Sequence, residues 1–336
     1  MRRYKIATIP GDGIGPEVMD AAVSILKELE GCGEAVFNFN KLPAGDGTLK
    51  ETGMALPPET LQGVKESDAC LFAAVGETAK DVILPLRQGL DLYANVRPAK
   101  VYPNVPHLAS DVDLIIVREN TEDLYKRVGF MGVDWGVSLR IITRQASERI
   151  ARFAFELAKR EGRQRVTCVH KANVLDTDII FKDACRNVSE EYPSIEYEEV
   201  IVDACAMKLI LKPEHFDVLV TTNMFGDILS DEAAGLVGGL GMAPSGNIGE
   251  RYAIFEPVHG SAPDIAGKGI ANPIAMVLSS VMMLKWLGEL ELSRILENAV
   301  VKVLRAGETL TPDLGGKAGT RDLSEAIKRM IDGKGF

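Results

Sequence analysis

The chain has 336 residues, enough for two domains, with 46% hydrophobic and 26% charged residues. A formal net charge of −10 excludes a general nucleic-acid surface, which needs a basic stripe, but leaves room for an anionic small molecule held by a local arginine cluster. Five scattered cysteines with no C-x-x-C pair, and an N-terminus without an apolar leader, point to a reduced, cytoplasmic protein whose thiols pack in the core. The most apolar segment, Pro273 to Leu284, is too short for a bilayer, where ~20 residues are needed, and is expected as a buried helix.

In chain order, Lys5 to Ile9 is predicted as a short buried strand, followed by Gly11-Asp12-Gly13-Ile14-Gly15-Pro16 and a helix with apolar Val18, Ala21, Ala22 and Leu26. These glycines do not make the dinucleotide fingerprint. The third comes one residue early, and Pro16 suits the start of a helix. A strand over Ala69 to Val75 precedes a helix over Val82 to Leu92. Asp113 to Arg118 is a strand, Ala146 to Arg160 an amphipathic helix, Arg165 to His170 a strand and Thr177 to Glu191 a helix. Phe216 to Thr222 is a strand; a tight turn through Gly226 then leads into a helix from Asp227 to Val237. Strands alternating with helices predict an α/β fold with a largely parallel sheet in each layer.

Several strands end in ionisable residues, where open α/β sheets build their sites. Asp227 and Asp231 are four apart on one helix face, which suits a hard divalent cation; equally, Asp227 could serve the helix N-terminus and Asp231 be solvated. Leu114 to Val117 ends in Arg118-Glu119-Asn120 with Tyr125 close behind, Val166 to His170 ends in Lys171, and Val200 to Val202 ends in Asp203. Arg87 and Arg97 flank Asp91 to Asn95, and with Arg118 they supply three guanidinium groups for carboxylates or for ion pairs. The small residues around His259 to Gly269 let backbone approach a nucleotide, and Asp264 can accept from a ribose diol while repelling a 2′-phosphate.

IPGDGIGPEV (9–18), DLYANVRPAK (91–100), VRENTEDLY (117–125), HKANVL (170–175), NMFGDILSDEAAG (223–235), EPVHGSAPDIAGKGIANP (256–273) and TPDLGG (311–316) together resemble the β-decarboxylating dehydrogenases, the family of isocitrate, isopropylmalate and homoisocitrate dehydrogenases. The resemblance implies a two-domain, non-Rossmann α/β fold of the isopropylmalate dehydrogenase kind, with parallel or mixed sheets flanked by helices. Residues 1–92 and 238–336 would form the NAD-side domain. Residues 93–237 would form the second, with a β-arm near 126–143 that joins two subunits into at least a homodimer. It assigns Arg87, Arg97 and Arg118 to substrate carboxylates and Tyr125 with Lys171 to acid–base chemistry, Lys171 coming from the neighbouring subunit. Asp227 and Asp231, with Asp203 of that neighbour, would hold Mg²⁺ or Mn²⁺ beside the substrate. Glu256, His259, Gly260, Ser261, Ala262, Asp264 and Asn272 would line the NAD site. A non-catalytic relative would be expected to lack part of this set, and a lyase on the same scaffold would turn over without forming NADH.

Within the family, substrate choice depends on the stretch before the first arginine, here Lys80 to Leu86. Isocitrate enzymes carry Ser and Asn where this chain has Asp81 and Ile83. Val82, Ile83 and Leu84 are expected to form an apolar surface for an isopropyl group, favouring 3-isopropylmalate and a place in leucine biosynthesis. Lys80, HKANVL, IVDACAM and the SGNIG loop keep homoisocitrate, isocitrate and related 2-hydroxy diacids open.

Overall fold

A computed structural model describes residues 1–331 and 333. Its strands are β1 (Arg2–Gly11), β2 (Ala35–Lys41), β3 (Ala69–Ala74), β4 (Ala94–Lys100), β5 (Asp113–Glu119), β6 (Gly129–Met131), β7 (Gly136–Ser138), β8 (Arg165–His170), β9 (Glu196–Ile201), β10 (Val218–Thr221), β11 (Pro244–Ile248) and β12 (Ala253–Pro257). The helices are α1 (Gly15–Leu29), α2 (Asp46–Thr52), α3 (Pro58–Lys65), α4 (Ala79–Gly89), α5 (Arg144–Glu161), α6 (Asp176–Ser189), α7 (Val202–Leu211), α8 (Asn223–Leu236), α9 (Ile274–Trp286), α10 (Leu290–Ala306) and α11 (Thr320–Ile331).

The expected layers are joined in one 10-stranded sheet of order β2-β1-β3-β12-β11-β4-β5-β10-β8-β9, with β6 and β7 forming a separate hairpin. Both outer parts pair parallel, as crossover helices require, whereas β12, β11, β4 and β5 pair antiparallel at the centre. On one side of centre, Ile6, Phe37 and Leu71 pack with α1, α9, α10 and α11, while Ile9, Phe72, Val82 and Leu86 build the core beneath α4. On the other side, Val117, Phe155, Val166 and Phe181 pack with α5 and α6, and Ile116, Val169, Leu209 and Leu229 with α7 and α8. Helices thus cover both faces, as a sheet with so many fully buried strands demands.

Several local expectations change. No turn passes through Gly226: α8 already opens at Asn223, and a β-carbon on Gly226 would stand 2.7 Å from Arg118 Cβ and 2.3 Å from Thr221 Oγ1. Gly226 is therefore required by the close approach of α8 to β5. The segment after β9 turns directly into α7, so Asp203 lies in a helix first turn. Val82 packs into the core with no exposure, leaving Ile83 and Leu84 as the half-buried apolar residues of α4. Cys70, Cys168, Cys185 and Cys205 are buried as expected, but Cys32 is exposed. The apolar segment from Pro273 does become a buried helix, α9, and no described helix is long and apolar enough to cross a membrane.

Candidate active site

The central antiparallel strands bring polar side chains into one row. Asn95 on β4 lies opposite Arg118 on β5 and Asn247 on β11, and Ser245 on β11 lies opposite Glu256 on β12. Residues two apart share a face, so Arg97 joins Asn95 and all six point to the same side of the sheet. Helices α4 and α8 add Arg87 and Asp227 to this side.

The three arginines are buried, and each is held by named partners. Arg87 Nη2 donates to Glu256 Oε1 at 3.0 Å, and Asn247 Nδ2 donates to the same oxygen at 2.7 Å. Arg97 donates to Asn95 Oδ1 at 2.6 Å and Ser230 Oγ at 2.7 Å, and stands 3.3 Å from both Asp227 and Asp231. Arg118, only 1% exposed, donates from Nε and Nη2 to Asn223 Oδ1 at 3.1 and 2.7 Å and from Nη1 to Asp227. Its guanidinium also lies 4.9 Å from the centroid of the Tyr125 ring, and Tyr125 OH donates to Asp227 Oδ2 at 2.5 Å. Asp227 is thus the hub that binds Arg97, Arg118 and Tyr125 together.

The electrostatics follow from this crowding. Burial and then the neighbouring Arg97 charge pull the Arg118 pKa down to about 9. Burial lowers Arg97 as well, with Asp227 opposing. Burial also works against ionised Asp227, but Arg118 and Arg97 outweigh it and hold the carboxyl below its ordinary range. Asp231 moves the other way, raised by burial and by the charge of Asp227. Burial and the hydrogen bond to Asp227 push the Tyr125 phenol above the usual tyrosine value, so it keeps its proton. The arginines are matched in formal charge by Asp227, Asp231 and Glu256, so an added dianion needs an added dication to keep the buried site neutral.

A cavity of about 170 Å³ opens beside Arg87 and Arg97, its wall including Val75, Ala79, Ile83, Glu256, Val258, His259 and Gly260. Two buried nitrogens at this cavity, Arg87 Nε and His259 Nε2, have no hydrogen-bond partner. The loop beyond Gly260 rests on the N-terminal glycines: Ile14 N donates to Ser261 O at 2.9 Å, and a β-carbon on Gly13 would stand 1.9 Å from that oxygen. Ala262 takes φ +39, and Asp264 is exposed at the tip. Asn272 is buried, donating to Asp313 at 2.9 Å and accepting from Ile274 N at the start of α9.

Among the sequence-predicted residues, Arg87, Arg97, Arg118, Tyr125, Asp227, Asp231, Glu256, His259, Gly260 and Ile83 are brought into one neighbourhood. Leu84 is half-buried on α4 but is not part of the cavity wall. Lys171 and Asp203 form an ion pair with each other, and among the described residues no hydrogen bond or ion pair joins either side chain to the arginine cluster. No three described acids or histidines of one chain form a metal-binding group. Asn95, Asn223, Ser230 and Asn247 were not singled out in the sequence; the signal available was their position within two residues, or four along a helix, of Arg97, Asp227 and Asp231 for the first three.

A sequence profile described as isocitrate/isopropylmalate dehydrogenase matches residues 5–327. A 3-isopropylmalate dehydrogenase of Archaeoglobus fulgidus is 54% identical over 329 residues, covering 98% of this chain and 99% of its own. An isocitrate/homoisocitrate dehydrogenase of Thermus thermophilus is 49% identical over 335 residues, covering 98% of both chains. The crystal structure of isocitrate dehydrogenase from Methylococcus capsulatus superposes with a TM-score of 0.93 at 45% identity, covering 98% of this chain and 99% of that one.

Proposed function

Because the chain belongs to the isocitrate/isopropylmalate dehydrogenase family and is a decarboxylating dehydrogenase, we propose that it oxidises 3-isopropylmalate with NAD and a divalent cation, Mg²⁺ or Mn²⁺, releasing CO₂ and 2-oxoisocaproate in leucine biosynthesis. The observation that carries the substrate is the cavity beside α4. Arg87 and Arg97 are the cations of its wall among the described residues, and Ile83, Ala79, Val75 and Val258 form an apolar stretch of it, with Ser245, Glu256 and His259 as the remaining polar lining. Two carboxylates fit the arginines, and the free Arg87 Nε calls for such an acceptor. An isopropyl group against the apolar wall gains roughly 1.5–3 kcal/mol by burial, whereas a third carboxylate there would be desolvated without a partner. Lys80 is exposed and outside this wall, and the Asp81 carboxylate stands 3.9 Å from Arg127.

The residues fit both cofactors. Asp227 and Asp231, the latter raised by burial and by its neighbour's charge, are a donor pair that a divalent cation would relieve; Asp203 of a second copy would complete it. His259 Nε2 is enclosed without a partner, and exposed Asp264 would face the ribose of NAD. A bound nicotinamide would supply the hydride acceptor, and a divalent cation held by Asp227, Asp231 and Asp203 of the second copy would supply positive charge for the oxygen that becomes negative. Lys171 of the second copy takes the C2 hydroxyl proton as hydride leaves C2. Loss of CO₂ leaves an enolate whose C3 receives the proton kept on Tyr125, and the proton that Lys171 took returns to the phenol.

A homodimer is part of this reading. Phe130, Met131, Val133 and Trp135 stand 59, 84, 98 and 58% exposed on the β6–β7 arm, and Ile179, Met207, Ile210, Leu211 and Ile228 expose apolar surface on α6, α7 and α8. Exposed apolar side chains gathered on an arm and on three helices are what an interface would cover. We also take residues 1–92 with 238–336 as one domain and 93–237 as the other. In support, the buried cores flanking each half of the sheet draw on those segments separately, apart from Tyr102 and Val105, which pack with the first, and half-buried Ile248 and Met282, which pack against a core of each.

The test is kcat/KM with NAD and Mg²⁺ for 3-isopropylmalate, homoisocitrate and isocitrate. We expect 3-isopropylmalate to lead by about tenfold or more. A comparable lead for homoisocitrate, the alternative raised by the Thermus relative, would overturn the substrate assignment.

A further inference from the structure

We propose that Arg140 is a positioning residue that holds both members of the acid–base pair, Tyr125 through Asp123 and Lys171 through Asp178; this rests on the roles proposed above for those two residues. Arg140 follows β7 at the base of the arm, and its side chain is only 12% exposed. Nε donates to Asp123 Oδ1 at 2.8 Å, Nη1 to Thr177 Oγ1 at 2.9 Å and to Asp178 Oδ1, and Nη2 to Thr222 Oγ1 at 3.0 Å. The guanidinium also lies 5.1 Å from the centroid of the Phe225 ring.

The four partners come from three segments of the site, Thr177 and Asp178 sharing α6. Asp123 opens the short 3-10 turn Asp123–Lys126 that contains Tyr125, and its second oxygen accepts the Met224 amide at 3.0 Å, in the first turn of α8. Asp178 lies in the first turn of α6, and its second oxygen accepts the Lys171 amide at 2.6 Å. Thr222 is the N-cap of α8, the helix bearing Asp227 and Asp231, and its hydroxyl serves Arg140 in place of the helix.

Both carboxylates are wholly buried, and one cation serves the two. Without it, like charges face each other out of water, and they must move apart or take up a proton. Movement would pull the Tyr125 turn away from α6 and loosen the Lys171 amide. Asp123 also sits at φ +66, a backbone that a non-glycine residue keeps only when its contacts hold it. A lysine supplies a point charge but cannot satisfy four acceptors at once. Since Lys171 is assigned to the second copy's site and Tyr125 to its own, Arg140 ties together parts of two sites from the base of the arm between them.

The experiment compares Arg140→Met and Arg140→Lys with the wild-type full chain, by amide hydrogen exchange and by steady-state kinetics with 3-isopropylmalate, NAD and Mg²⁺. In Arg140→Met, exchange at the Lys171 and Met224 amides should quicken by about tenfold or more while β1 and β3 stay protected. Its kcat should fall about 100-fold, with KM for diacid and NAD within about threefold of wild type. Arg140→Lys should lie between on both measures, and it carries the test if Arg140→Met does not fold. Unchanged exchange at both amides overturns the positioning role. Faster exchange with wild-type kcat overturns its consequence for catalysis. Should the wild type turn over none of the diacids, the proposed function fails, and exchange at the two amides still decides for or against Arg140.

Discussion

Replacing Gly226 with alanine adds one carbon at the point where α8 meets β5. That carbon would stand 2.7 Å from Arg118 Cβ and Cγ and 2.3 Å from Thr221 Oγ1, where ordinary contact begins at 3.4 Å. Thr221 can rotate, but Arg118 Cβ is fixed to a central strand and its side chain is locked by Asn223 and Asp227. Relief therefore requires α8 to withdraw by roughly 1 Å, and a misplacement of that size costs on the order of 100-fold in rate. Overpacking of this kind destabilises by ~1–3 kcal/mol. For a chain of this size that is a fall in Tm of roughly 1–4 °C. Because Asp227 holds Tyr125, Arg97 and Arg118 at once, the loss should appear in both kcat and the KM for the diacid. Thermal scanning and initial rates over a diacid titration measure the two effects. Gly226→Ala with wild-type Tm and wild-type kcat/KM would show that no close approach of α8 to β5 exists there.

Tyr125→Phe and Lys171→Met should each lower kcat by ~10²–10⁴ with little change in KM, and wild-type kcat in both would remove the acid–base assignment. Asp264→Lys should raise the ratio of kcat/KM for NADP over NAD by about tenfold or more; an unchanged ratio would place Asp264 away from the ribose. Burial holds His259 below the ordinary histidine pKa, and His170 likewise. The unfolded chain then binds more protons below ~6.5, so stability should fall as pH drops from there toward the folded-state pKa values and be level, as far as these groups go, above it. His259→Asn should lessen that fall, read as urea midpoints at pH about 5.5 and about 7.5; an equal fall in both proteins would show that His259 does not contribute.

What was legible in the sequence followed from short-range patterning and from motifs. The amphipathic periods of α5 and α6 and the apolar runs of β3, β5 and β8 read correctly because one solvent-facing stripe, or none, is recorded in local order. The strands β4 and β11 did not read as strands. Asn95, Arg97, Pro98, Ser245 and Asn247 make them look like loops, although Asn95, Ser245 and Asn247 are almost wholly buried. Hydropathy registers the polarity of a side chain but not a partner lying 150 residues away, such as Ser245 beside Asn95.

The residue types of the site, arginine, tyrosine and paired aspartates at strand ends, were determined by the sequence alone. Tertiary structure decided that Arg87 is matched to Glu256, that Asp227 gathers Arg97, Arg118 and Tyr125, and that Val82 faces the core while Ile83 faces the cavity. It also decided that Arg140, unremarkable in sequence, bridges Asp123 and Asp178. The physical reason is the same throughout. Chemistry at a buried site depends on which charges neutralise one another across the sheet, and that pairing is set by strand order and register rather than by neighbours in the chain.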